Sequence, residues 1–109
     1  MNNKKVEKMD KFYDDIKCSR DELGFITTNV PHRIVKHSPD GFEWGYGGSG
    51  PADFALNILS IFIGQEEAEK YYQQFKKDFI ITLPETGGII KRCDILHWIE
   101  EKKDGGWVC

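Results

Sequence analysis

The apolar run from Ala52 to Ile63 is the feature that most restricts the folds open to this chain. Ala52, Ala55, Leu56, Leu59, Phe62 and Ile63 follow the i, i+3, i+4, i+7 rhythm of one helix face. Phe54, Ile58 and Ile61 fill much of the opposite side, leaving only a narrow polar strip at Asp53, Asn57 and Ser60. A helix so nearly apolar all round is a core helix. Burying Leu56, Ile58, Leu59, Ile61, Phe62 and Ile63 would contribute about 9–18 kcal/mol gross, at about 1.5–3 kcal/mol each. A folded domain keeps only about 5–15 kcal/mol net. The rest of the chain must therefore be built around this helix. Pro51 suits its first turn, where an N–H is not needed, and Gly64 is its stop signal.

Directly before the helix runs His-Ser-Pro-Asp-Gly-Phe-Glu-Trp-Gly-Tyr-Gly-Gly-Ser-Gly-Pro, residues 37–51, which holds five of the eleven glycines. Gly45 to Gly50 satisfies G-x-G-x-x-G, and free N–H groups at a helix start attract phosphate or carboxylate. A dinucleotide site also needs a βαβ unit, and here a helix follows the helix. The simpler reading is a tight strand-to-helix turn that needs positive φ. Trp44, Tyr46, Gly47, Gly48, Ser49, Gly50 and Asp53 are the candidate binding residues. His37, Asp40 and Glu43 are weak candidates for acid–base work, since His titrates near neutrality. Bracing of the turn accounts for them better. Ser49 lacks the G-x-S-x-G frame of a nucleophile elbow, because residue 51 is Pro. No catalytic residue is assigned, and an enzyme is not the favoured reading.

The remaining pattern predicts α+β. Phe12, Ile16 and Cys18 share a parity, turn composition follows over 19–22, and Leu23 to Thr28 is rich in β-formers, which predicts a first hairpin. Residues 33–37 and 42–46 flank the Ser38-Pro39-Asp40-Gly41 turn and predict a second. Gln65 to Lys77 reads as an amphipathic helix buried through Ala68, Tyr71, Tyr72 and Phe75. Phe79 to Leu83 reads as a strand, with a shorter one at Ile89 and Ile90. Asp94 caps a last helix with Ile95, Trp98 and Ile99 inward, ended by Gly105 and Gly106. The expectation is a small antiparallel sheet, two hairpins plus one later strand, on a buried central helix and two further helices.

At 109 residues the chain fits one domain. Residues 1–11, with four lysines against Glu7 and Asp10, are expected to be a flexible N-terminal segment, and 12–109 a single compact domain. A formal charge of −3 and a pI near 5.6 argue against direct nucleic-acid binding, which needs clustered Lys and Arg. No signal-peptide h-region and no membrane-length apolar run are expected. Cys18, Cys93 and Cys109 show no CxxC spacing and read as reduced thiols in a cytoplasmic protein. Cys93 and His97 share a helix spacing, but with few other soft ligands no metal or cofactor is expected. Trp107 has no assigned role.

The 37–51 stretch, continuing into Ala52 and the Ala55-Leu56 helix, resembles a family known as domain of unknown function 6166. Looser similarity runs through Tyr72-Gln73-x-Phe75-Lys76, Leu83-Pro84 and Ile95-x-x-Trp98-Ile99. The resemblance implies one compact domain of bacterial, phage or mobile-element origin in a bacterial host cell, with no catalytic residues to carry over. The leading expectation is a non-enzymatic binding module, a phage or mobile-element accessory protein that binds and inhibits a host protein or nucleoprotein complex in an anti-defence (anti-CRISPR-like) role. The alternative is a nucleotide- or phosphate-ligand binder, or small hydrolase, built on the Gly45–Gly50 loop.

Overall fold

The computed structural model describes residues 14–38 and 40–103. The first hairpin forms, but its turn lies at 21–25 rather than at the expected 19–22, because Ser19 and Arg20 pair within the sheet. Strand β1 (Ile16–Arg20) pairs antiparallel with β2 (Ile26–Thr28), with Cys18 opposite Thr28 and Arg20 opposite Ile26. Asp21 sets the turn: its Oδ1 accepts the N–H groups of Leu23 and Phe25, each at 2.9 Å, and Gly24 supplies φ +91°. Ile16 and Cys18 point to the core while Lys17 and Ser19 face solvent.

Strand β3 (Gly87–Ile90) pairs with the other side of β1, giving the antiparallel order β2-β1-β3. Gly87 sits opposite Ser19 at φ +113°, and a Cβ there would lie 2.2 Å from the Cys18 carbonyl oxygen. Only glycine fits this position.

The long helix α1 (Ser49–Phe75) is broken at Gly64, whose φ of 83° and ψ of 160° divide it into limbs 49–63 and 65–75. The glycine that reads as a stop in sequence is thus a kink in space. Every residue from Gly50 to Leu59 is buried, as the apolar pattern demands. Ile61, Phe62 and Ile63 are only partly covered, at the rim of the core, so the gross burial expected from the pattern is an upper bound.

Three expected strands are absent. The second hairpin does not form: residues 33–37 and 42–46 run without strand pairing. The backbone donors of the first segment are taken by side chains of α1 instead. The expected strand at 79–83 is replaced by a π-helical segment, Lys76–Ile80, in which the Ile81 N–H bonds to the Lys76 carbonyl at 3.0 Å. A short apolar run does not separate strand from buried helix. Here the wide turn carries Ile80 into the core and lays Phe79 against Phe75, ring centroids 4.8 Å apart.

The last helix, α2 (Arg92–Lys103), buries Ile95, Leu96, Trp98 and Ile99. Asp94 lies inside its first turn rather than capping it, and Asp15 accepts the Arg92 N–H at 2.7 Å from across the fold. The Trp98 indole donates to Asp78 at 2.7 Å and meets the Phe75 ring edge-on. Sheet and helices share one hydrophobic cluster, and the α+β class holds. Cys18 is a free, buried thiol, but Cys93 is disulfide-bonded, which corrects the expectation of reduced cysteines there. The expectations for residues 1–11, Phe12, Pro39, Gly105, Gly106, Trp107 and Cys109 fall outside the described residues.

Candidate functional site

The 37–51 stretch crosses the N-terminus of α1 and is held there by two helix side chains. Asp53, fully buried, accepts the N–H groups of Lys36, His37 and Ser38 at 2.9–3.1 Å. Asn57, one turn on, accepts those of Arg33 and Ile34, each at 2.9 Å, and donates to the Ile34 carbonyl at 2.8 Å. The polar strip of the apolar helix is therefore a clamp for an otherwise unpaired backbone. Asp53, a candidate binding residue, has its carboxylate turned to this clamp.

The other candidates divide. Trp44 is 1% exposed; its indole donates to the Glu85 carbonyl at 3.0 Å and its ring lies 5.7 Å from that of Phe54. Gly50 is buried where the chain crosses itself, since a Cβ would come within 2.8 Å of Glu43 Cβ. Gly48 is the helix cap residue, without a side-chain cap, and lies under the Tyr46 ring. Of the glycines at 45–50, Gly45 alone takes positive φ, +87°. A Cβ on Gly47 would touch only the Ile81 side chain. Tyr46 and Ser49 are exposed.

His37 does not join Asp40 and Glu43, which line one hollow. His37 Nε2 lies 2.7 Å from the Tyr72 hydroxyl. Glu43 is gripped by Arg20, Nη1 and Nη2 reaching its two carboxylate oxygens at 3.1 and 2.8 Å. This fork holds the Glu43 carboxyl below the ordinary glutamate range and raises the Arg20 guanidinium further. The same guanidinium lies 4.8 Å over the Trp44 ring. Asp40 stands exposed beside the Ser38–Gly41 turn, closed by Ser38 Oγ donating to the Gly41 carbonyl at 2.9 Å.

The hairpin tip completes the site. Leu23 is 81% exposed, Phe25 67% and Tyr46 52%. Phe25, Asp40, Glu43, Tyr46, Ser49 and Gly50 line a hollow of about 450 Å³ between the tip and the helix start. The sequence reading missed Leu23 and Phe25, taking them only as strand formers. Their proximity to Asp21 and Gly24 is the signal that they crown a turn. A larger, more open hollow of about 560 Å³ lies by Gly87 and Gly88 and is lined by no carboxylate or aromatic ring.

Among the described residues no group of three metal-ligating side chains gathers, and no helix is long and apolar enough to cross a membrane. A family model described as a family of unknown function (DUF6166) matches residues 15–101, so the match includes the first hairpin as well as the 37–51 stretch. No curated protein and no solved structure matches the chain.

Proposed function

The chain belongs to the family of unknown function DUF6166, and from that premise we propose that it is a non-enzymatic protein-binding module whose contact surface is the hairpin tip together with the 38–50 loop. One observation carries this reading: three large apolar side chains, Leu23, Phe25 and Tyr46, stand in solvent, the N–H groups of Leu23 and Phe25 bonded to Asp21 and that of Gly45, beside Tyr46, to the Ile80 carbonyl. Exposed aromatics on ordered backbone are what binding hot spots are made of. The separation of His37 from the hollow that Asp40 and Glu43 line, and the pairing of Glu43 with Arg20, support the non-enzymatic half. A cytoplasmic phage or mobile-element accessory protein that inhibits a host protein or nucleoprotein complex, in an anti-CRISPR-like role, suits this module. Support for that setting is the family resemblance alone, an associational warrant.

The nucleotide or phosphate alternative draws on the opening of Ser49 and Gly50 into the hollow. Against it, the hollow is lined by Asp40 and Glu43 and by no Lys, Arg or His. Carboxylates there oppose a phosphate that the helix start would otherwise attract.

The test is site-specific photocrosslinking in bacterial cells, with p-benzoylphenylalanine placed at 25, 46 or 89. Discrete protein adducts at 25 and 46 but not at 89 are expected. Adducts only at 89, or at none of the three, would remove the proposed surface. A nucleotide in 100-fold excess over its Kd stabilises by about 2.7 kcal/mol. A melting shift of that size, with no adducts, would establish the ligand reading instead.

A further inference from the structure

The proposed surface also concentrates the charge of the chain. Residues 20–26 and 38–50 set one arginine, Arg20, against Asp21, Glu22, Asp40 and Glu43, a formal charge of −3. That equals the charge of the whole chain, so all remaining residues balance. Within this face Glu43 is already taken by Arg20. Asp40 makes no hydrogen bond or ion pair among the described residues, and its hollow is walled by Phe25 and Tyr46. The partial positive charge of the α1 start, about half a unit, does not cancel a full carboxylate.

Building on the binding reading above, we propose that this hollow receives an arginine side chain from a basic segment of a partner protein, its guanidinium set against Asp40 and the rings of Phe25 and Tyr46. Arginine suits the place better than lysine because its planar, weakly hydrated head stacks on aromatic faces while bonding a carboxylate. The chain makes this arrangement internally: Arg20 lies over Trp44 while forking onto Glu43. Leu23 beside the hollow offers apolar cover to the flanking residues of the guest. Nucleic acid is repelled by the same charges.

The probe is a fluorescein-labelled hexa-arginine peptide, followed by anisotropy at about physiological ionic strength. Hexa-arginine should bind more tightly than hexalysine, and hexaglutamate should not bind. Asp40→Asn, Phe25→Ala and Tyr46→Ala should each weaken hexa-arginine binding about two- to fivefold. Glu66→Gln, an exposed carboxylate of α1 outside this face, should leave it unchanged. All of these positions are exposed, and circular dichroism confirms that each variant is folded. No binding of hexa-arginine, binding unmoved by the two aromatic changes, or equal losses in Asp40→Asn and Glu66→Gln would each overturn the proposal. Crosslinks persisting at position 25 in that event would leave the binding module standing with a different guest.

Discussion

Asp53 and Asn57, one helical turn apart on the core helix, together hold five backbone N–H groups of residues 33–38. The segment has no strand partner, so these two side chains replace a sheet ladder. That substitution places the 38–50 loop and everything it carries.

Removing the clamp should therefore destabilise the whole domain. Asp53→Ala leaves three backbone donors without a charged acceptor and should cost on the order of 3 kcal/mol or more. Asp53→Asn keeps one acceptor oxygen and should lose less. Urea denaturation gives both values. A loss below about 0.5 kcal/mol for Asp53→Ala would mean the segment finds other partners.

The Arg20–Glu43 fork should give a defined acid dependence. The Glu43 carboxyl is held below its ordinary range by the guanidinium. Such a group contributes stability in full above its unfolded-state pKa, near 4.5, and loses it as pH falls through the lower folded value. Wild type should thus exceed Glu43→Gln at pH 7 by about 1 kcal/mol, a figure reduced for partial exposure. The gap should close progressively below about pH 4.5. Arg20→Lys should behave like Glu43→Gln, because an ammonium neither forks nor stacks in the same way. A gap independent of pH would show that the pair contributes packing rather than charge.

The glycines should separate by what surrounds them. Gly87→Ala drives a Cβ into the β1 backbone at positive φ and should cost roughly 2–5 kcal/mol. Gly24→Ala has the same φ problem but open space, and should cost about 1–2 kcal/mol. Gly50→Ala meets Glu43 and should lower the melting temperature, whereas Gly47→Ala, facing only the flexible end of Ile81, should be nearly neutral. Differential scanning calorimetry ranks the four. Equal losses for Gly24 and Gly87 would contradict the close approach at β3.

The described cysteines should differ in reactivity. Burial pushes the Cys18 thiol up, so it should resist iodoacetamide in the folded protein and react on unfolding. Cys93 should stay unmodified even when unfolded until a reductant is added. Peptide mapping after alkylation checks both, and rapid native labelling at Cys18 would contradict its burial.

The sequence by itself determined the core helix, its start close to Pro51, an interruption at Gly64, the existence of the first hairpin and the inward Ile95, Trp98 and Ile99 of α2. These are read from local rules: a 3.6-residue apolar rhythm, a proline without a donor, β-formers on either side of turn composition; the placing of the turn on Asp21 and Gly24 came from the structure. It also marked the 37–51 stretch as special. Tertiary structure decided the rest. The apolar run at 79–83 satisfies strand and helix alike, and only packing of Phe79 on Phe75 and Trp98 makes it a π turn. The segment 33–37 has strand composition, yet its donors face Asp53 and Asn57, residues some twenty positions away. Phe25 meets Tyr46 around one hollow for the same reason. Periodicity reports which face of an element is apolar, but not what another element will bring against it.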